Sequence, residues 1–144
     1  RELIEELVII NKIPILGICL GMQLMCNNSD EGNVSGFGWF DYDVKKFSIE
    51  DKDKYRYKVP HIGWNNINPQ KDSLLLNKIP KDSYFYFIHS YQLCGNINSN
   101  IVATTDYPYS FISVIEKDNI FGVQFHPEKS HKIGEKVLRN FINI

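Results

Sequence analysis

Cys19 lies in the pentapeptide Gly17-Ile18-Cys19-Leu20-Gly21, whose spacing is typical of a nucleophile on a sharp turn from a strand into a helix. Small residues two positions before and after the nucleophile are expected there, because a Cβ would strike the neighbouring turn. The turn would place the thiol near a helix N-terminus, which favours the thiolate, and would direct the Leu20 amide at an oxyanion. The alternative is an inert, buried cysteine between two packing glycines.

The other two cysteines lack these features. Cys26 follows Cys19 by about two helical turns and has no flanking glycines, and Cys94 precedes Gly95 at the end of a β-rich run. We predict that both serve packing. Three cysteines without a C-x-x-C spacing fit neither a disulfide framework nor a thiolate zinc site, so we predict a reducing, cytoplasmic location.

His126 is the candidate base for this nucleophile. It follows residues 120–125, an apolar run that predicts a buried strand, and Pro127 then ends that strand. Glu128 is placed to hydrogen-bond the second imidazole nitrogen, as the third member of a triad. The alternatives are a histidine that merely ends a strand and a glutamate that pairs with Lys129 or Lys132.

The elements around these residues form an α/β pattern. Periodicity predicts a helix over residues 1–10, a buried strand over 13–18, a helix over 19–28 and a closing helix over 132–144. Between them, β-rich runs at 40–47, 84–93, 100–107, 111–118 and 120–125 predict a partly antiparallel sheet, and the charged stretch 48–58 predicts a solvated loop. Cys19 and His126 both follow strands, and an open sheet binds ligands at the carboxyl ends of its strands.

Composition limits the other function classes. The chain has 144 residues, of which 43% are hydrophobic, enough to form the core of one domain. Its 16 basic and 17 acidic residues are interspersed, which argues against a nucleic-acid partner. No apolar run approaches the roughly 18 residues of a membrane span, so no membrane partner is predicted. No cofactor is predicted either, and no metal, since no metal-binding spacing links the four histidines, His61, His89, His126 and His131.

Two pairs of motifs carry a family resemblance. PILGICLGMQLM at 14–25 and GVQFHPEKS at 122–130 resemble the class I glutamine amidotransferase family. VPHIGWNNI at 59–67 and YFIHSY at 86–91 are similar to its subgroup of glutaminase subunits of imidazole glycerol phosphate synthase. The resemblance implies a flavodoxin-like fold with a mixed sheet flanked by helices. It also implies hydrolysis of glutamine to glutamate and ammonia, which passes to a synthase (cyclase) subunit of a heterodimer in histidine biosynthesis.

The resemblance assigns roles residue by residue. The Cys-His-Glu triad falls on Cys19, His126 and Glu128. The positions that hold glutamine fall on Leu20, Gln23, Ser90 and Tyr91. The positions at the partner interface and the ammonia passage fall on His61, Gly63, Trp64, Asn65, Tyr86 and Lys129, with residues 61–65 expected as a loop. The alternative for the last group is that Trp64 and Tyr86 are interior aromatics and Lys129 a solvated lysine.

The sequence departs from the family pattern in two places. The family has a glycine-rich loop with a second oxyanion-hole element well upstream of the nucleophile, and only 18 residues precede Cys19. We therefore expect residues 1–144 to be the C-terminal portion of a longer amidotransferase domain, with the first strands missing. EKSHKIG at 128–134 is closer to amidotransferases that supply ammonia to surface-glycan sugars, so that acceptor is an alternative. A noncatalytic binding module and a peptidase on the same turn are the others.

Overall fold

The computed structural model describes all residues from Arg1 to Ile144, which fold around a mixed nine-stranded sheet. The helices are α1 Glu2–Glu5, continued by a π-helical turn Glu6–Ile10, then α2 Leu20–Leu24 and α3 His131–Ile142. The strands are β1 Ile15–Ile18, β2 Asn28–Ser29, β3 Val34–Ser35, β4 Asp43–Lys46, β5 His61–Asn66, β6 Asn68–Pro69, β7 Tyr84–His89, β8 Tyr91–Cys94, β9 Ile101–Asp106, β10 Ser110–Lys117 and β11 Ile120–Val123. Short 3-10 turns cover Asp51–Asp53 and Pro127–Lys129.

The main sheet runs in the order β1, β11, β10, β8, β4, β2 and β3, with β9 beside β10 and β6 beside β9. β1 is parallel to β11 and β2 to β4, and the other pairs are antiparallel. β5 and β7 form a separate antiparallel sheet. This mixed sheet, flanked by helices, confirms the predicted fold class.

Alternate residues of the central strands enter hydrophobic clusters on opposite faces of the sheet. Ile120 joins the cluster that contains Met22 of α2, whereas Phe121 and Val123 join the cluster that contains Val137 of α3. Burial on both faces explains why this strand is an unbroken apolar run in the sequence. None of the helices has the length and apolar character that a transmembrane segment requires.

Four predicted elements differ from the observed ones. The helix expected over 19–28 is only Leu20–Leu24, and residues 28–29 belong to strand β2. The run at 84–93 is two strands, because the chain changes sheets at Ser90: β7 pairs with β5, and β8 pairs with β4 and β10. The expected loop at 61–65 is strand β5. The strand before His126 ends at Val123 rather than at residue 125. Local composition gives the strand tendency of such runs, but it does not encode which neighbour each strand pairs with.

A pair of glycines lets α2 lie directly on the sheet. Gly17 of β1 is in register with Gly122 of β11. A Cβ on Gly17 would come within 2.6 Å of the Gly21 carbonyl carbon, and a Cβ on Gly122 within 2.6 Å of the Met22 Cγ. The helix therefore begins immediately above the two strands. Gly21 itself is unconstrained, because its Cβ would meet no atom within 4 Å.

Two buried histidines pair within the β5–β7 sheet, and one of them, His89, also contacts the main sheet. Nδ1 of His61 on β5 is 3.0 Å from Nε2 of His89 on β7, and Nδ1 of His89 is 2.8 Å from the Tyr91 carbonyl. Since a carbonyl only accepts, His89 Nδ1 carries a proton and His89 Nε2 accepts from His61. Burial lowers the pKa of His61 to about 3 and that of His89 to about 4, so both imidazoles are neutral.

Gly17→Ala is expected to lower the free energy of unfolding by about 1 to 3 kcal/mol, because the new Cβ collides with backbone that cannot move without shifting α2. Gly21→Ala is the matched control, and we expect it to be neutral or stabilising, since it replaces a helical glycine facing open space. Urea unfolding of the two variants measures both effects. Equal unfolding midpoints for the two variants would contradict this account of the close contact.

The histidine pair predicts acid destabilisation. An unfolded histidine takes up a proton as the pH falls below about 6.5, whereas the folded pair stays neutral until about pH 4 and about pH 3. The free energy of unfolding should therefore fall as the pH drops through this window, by up to about 1.4 kcal/mol per unit for each histidine. His61→Phe keeps the aromatic packing and should weaken this dependence. Urea unfolding at about pH 7 and about pH 5 measures the difference, and an unchanged dependence in His61→Phe would disprove the assignment.

Candidate active site

Cys19 occupies a strained turn between β1 and α2. Its backbone has φ +51° and ψ −106°, which a residue with a side chain rarely adopts, and its N–H donates to the Val123 carbonyl at 2.8 Å. The predicted sharp turn is therefore present. A Cβ on Gly17 would clash with the backbone of α2, as predicted, but a Cβ on Gly21 would meet no atom. The expectation that both glycines prevent a clash was therefore wrong for Gly21.

The expected activation of the Cys19 thiol by the helix N-terminus is not observed at rest. Burial raises the pKa of Cys19, and the carboxylates of Glu128 and Glu31 raise it further. The Leu20 N–H and the Gln124 amide act in the opposite direction, but burial has the larger effect. α2 has five residues, so its dipole is short. The resting sulfur is consequently a thiol and needs a base.

His126 and Glu128 form the expected pair. Nδ1 of His126 lies 2.5 Å from Oε1 of Glu128, which makes no ion pair with Lys129 or Lys132. Because a carboxylate only accepts, Nδ1 carries a proton, and Nε2 is the nitrogen that accepts a proton when the imidazole acts as a base. His126 thus has the tautomer that a general base requires.

Backbone contacts hold His126 in place. Its N–H donates to the Tyr86 carbonyl at 2.8 Å, and its carbonyl accepts from the Ser130 hydroxyl at 2.7 Å. The same hydroxyl accepts from the Tyr86 N–H at 2.9 Å. Gly134 allows α3 to pack on this turn, since its Cβ would overlap the Pro127 carbonyl. The turn that carries the base is therefore fixed to β7 and α3.

The nucleophile and the base leave the same edge of the sheet. β1 and β11 are parallel neighbours, and Cys19 and His126 follow their carboxyl ends by one and three residues. No hydrogen bond joins Cys19 to His126. The sulfur instead contacts the Ile88 carbonyl at 3.8 Å and the Gln124 Nε2 at 3.5 Å. Catalytic hydrogen bonds are often long without substrate and tighten when it binds.

A cavity of about 370 Å³ opens beside the Cys19 sulfur. Four residues predicted to hold glutamine line it together with the nucleophile, and four further lining residues were not predicted. The predicted ones are Leu20, Gln23, Ser90 and Tyr91, and the others are Glu31, Pro60, Ile88 and His89. A larger cavity of about 650 Å³ lies between Ile67 and Lys81, away from Cys19 and His126.

Gln23 contacts the protein more than the cavity. It is buried, and its Nε2 donates to the Tyr91 carbonyl at 3.2 Å and to the Gln124 Oε1 at 3.1 Å. Both protons of its amide are engaged, so only its carbonyl oxygen is left for a ligand. A substrate contact through its nitrogen, as the sequence alone permits, would break this network.

The residues predicted at the partner interface divide into two groups. His61 is 3% exposed, so it belongs to the interior rather than to an exposed interface. Trp64 is 46% exposed, which excludes the interior alternative; it stacks on His131 at 5.1 Å and meets Tyr86 edge-on at 5.8 Å. The Lys129 ammonium is 6.0 Å from the centre of the Tyr86 ring. Gly63 and Asn65 lie on the same strand, β5.

Besides the cavity residues Pro60, Ile88 and His89, sequence reasoning missed three residues of the site. Ser130 holds the His126 turn, Glu31 is the only acidic residue that lines the cavity, and Gln124 contacts the nucleophile. Only Gln124 had a signal in the sequence, as a single polar residue in an apolar run. No group of three or more His, Cys, Asp or Glu side chains is arranged to hold a metal ion.

Comparison with known sequences gives matches over the whole chain. The glutamine amidotransferase class-I family matches residues 1–144. Imidazole glycerol phosphate synthase subunit HisH of Leptospira interrogans is 43% identical over 144 residues, which are 100% of this chain and 70% of that protein. The subunit HisH 2 of Methanococcus maripaludis is 43% identical over 141 residues, 98% of this chain and 68% of that protein.

Solved structures share the fold. A putative GMP synthase subunit from Thermoplasma acidophilum aligns with a TM-score of 0.64 at 22% identity, covering 90% of this chain and 56% of that one. A glutamine amidotransferase from Thermotoga maritima aligns with a TM-score of 0.63 at 20% identity, covering 99% of this chain and 52% of that one.

Proposed function

Since the chain belongs to the class I glutamine amidotransferase family, we propose that it acts as the glutaminase subunit of an imidazole glycerol phosphate synthase. The family match confirms the predicted class of enzyme, and the HisH relatives support the predicted subgroup. They favour this acceptor over the glycan-sugar alternative. One observation carries the chemical assignment: the strained Cys19 turn and the His126–Glu128 pair leave neighbouring parallel strands at one edge.

The reaction follows from the state of each group. The resting thiol of Cys19 gives its proton to His126 Nε2 as the sulfur attacks the carboxamide carbon of glutamine. His126 then protonates the departing nitrogen, which leaves as ammonia and yields a γ-glutamyl thioester. Water activated by the same histidine hydrolyses the thioester to glutamate and returns the thiol. Glu128 stabilises the imidazolium that forms twice in this cycle.

Two groups stabilise the substrate in this scheme. The Leu20 N–H lies at the start of α2, where it donates to the oxyanion of the tetrahedral intermediate. Glu31 is the only carboxylate in the cavity lining and pairs with the α-ammonium of glutamine. That pairing also offsets a negative charge that raises the pKa of Cys19, so substrate binding favours the thiolate.

The exposed face of β5 and β7 is the docking surface for the synthase (cyclase) subunit in this proposal. Ile62, Trp64 and Tyr84 are 56%, 46% and 57% exposed, and large exposed apolar side chains on adjacent strands are typical of a protein interface. A partner is chemically necessary, because ammonia released into neutral solvent is mostly protonated and no longer nucleophilic. Three free cysteines agree with the cytoplasmic location that we propose.

The proposed function predicts that one variant loses the chemical step and that another mainly weakens the binding of glutamine. In the complete protein with its synthase partner, Cys19→Ala should lower kcat for glutamate release about a thousand-fold or more, because no thioester forms. Glu31→Gln should raise KM for glutamine roughly ten-fold with a smaller effect on kcat, because it removes only the charge that meets the ammonium. Steady-state glutamate release measures both. Cys94→Ala is the control and should behave as the unmodified protein. Glutamate release that persists in Cys19→Ala would exclude this nucleophile.

A further inference from the structure

Gln124 is a buried amide in contact with the nucleophile. It follows β11, is 0% exposed, and donates from Nε2 to the Cys19 sulfur at 3.5 Å. Its Oε1 accepts from the Gln23 Nε2 at 3.1 Å, and its backbone N–H donates to the Ser113 carbonyl at 2.9 Å. Both its backbone and its side chain are therefore held in one orientation.

We propose that Gln124 is a positioning residue of the glutaminase reaction, whose amide holds the Cys19 sulfur at the mouth of the glutamine cavity. This inference rests on the proposed function of Cys19 as the nucleophile. Gln124 is not among the residues that line the cavity, so we infer that it acts through Cys19 rather than on substrate.

The hydrogen-bond network fixes which end of the Gln124 amide faces the sulfur. The Tyr91 carbonyl only accepts, so the atom of Gln23 that contacts it is the nitrogen. The same nitrogen contacts Gln124, which must therefore present its oxygen to Gln23 and its nitrogen to Cys19. His89 also donates to the Tyr91 carbonyl. The Tyr91 carbonyl thus orients the side chains of both Gln23 and His89. Because it fixes the Gln23 amide, the nitrogen of Gln124 rather than its oxygen faces the Cys19 sulfur.

Packing alone gives no reason for an amide at this position. The flanking residues Val123 and Phe125 are fully buried and apolar. Burying an amide costs free energy unless its polar atoms are paired, and an apolar side chain would avoid that requirement. Here the nitrogen is paired with the sulfur and the oxygen with Gln23.

A donor at the sulfur opposes the groups that disfavour a thiolate. Burial and the carboxylates of Glu128 and Glu31 all raise the pKa of Cys19, whereas the Gln124 amide lowers it. Among the other groups near the sulfur, the Ile88 carbonyl can only accept from the thiol, and His89 is neutral. The Gln124 amide and the Leu20 N–H are the two donors that stabilise the thiolate as it forms.

The test is the pH profile of Cys19 alkylation by iodoacetamide in the complete protein, followed at the Cys19 peptide by mass spectrometry. Gln124→Met should move the profile to higher pH and slow alkylation near neutral pH about ten-fold, while the limiting rate at high pH stays the same. A variant that merely loosened the packing would change the rate equally at every pH. Gln92→Met is the matched control: Gln92 is also buried and donates to the Tyr109 hydroxyl, but it lies away from Cys19.

Three further variants extend the test, and the first two keep the proposal falsifiable if Gln124→Met folds poorly. Gln124→Glu has the same shape but places an acceptor against the sulfur, so its profile should move further than that of Gln124→Met. Gln23→Met should also move the alkylation profile to higher pH. The double variant Gln23→Met/Gln124→Met should move the profile no further than Gln124→Met alone. Profiles that coincide with that of Gln92→Met would overturn the proposal. Because alkylation requires no glutamine, that result is distinguishable from a failure of the glutaminase function, which glutamate release reports.

Discussion

The parallel pairing of β1 with β11 is the constraint on which the rest of the site depends. Both strands end at one edge of the sheet, so Cys19 and His126 emerge at the same edge although 106 residues lie between them in the sequence. The hydrogen bond from the Cys19 N–H to the Val123 carbonyl extends this pairing into the strained turn. The glycine pair on the two strands then allows α2 to begin directly above them.

Because the chain changes sheets at Ser90, the end of β7 and the start of β8 both line the cavity beside Cys19. β7 brings Ile88 to the Cys19 sulfur, and the Tyr86 backbone anchors the His126 turn. β8 brings the Tyr91 carbonyl, which orients Gln23 and His89. Strain at Cys19 and burial of these polar groups both cost free energy. The hydrophobic clusters on the two faces of the sheet offset that cost and hold the strands that carry the site.

The sequence was sufficient where the signal was local. Gly17 before Cys19 indicates a turn, and the His126-Pro127-Glu128 run indicates a side-chain pair within a few residues; the structure has both. It was insufficient where the outcome depends on distant parts of the chain. The raised pKa of Cys19 reflects burial by other elements, and the burial of His61 reflects its partner on β7. The proposed role of Glu31 depends on a cavity that it forms with residues 19–23, 60 and 88–91, and no pattern around Glu31 indicates that cavity.

Cys19 is the proposed nucleophile of a glutamine site at the edge shared by β1 and β11. The most direct test of this role is labelling of the complete protein with a glutamine-mimicking electrophile, followed by peptide mapping of all three cysteines. We expect one adduct, on Cys19, that forms more slowly when glutamine is present. The raised pKa of Cys26, about 12, and its complete burial predict that this residue stays unmodified. An adduct on Cys26 or Cys94, or labelling of Cys19 that glutamine does not slow, would contradict the claim.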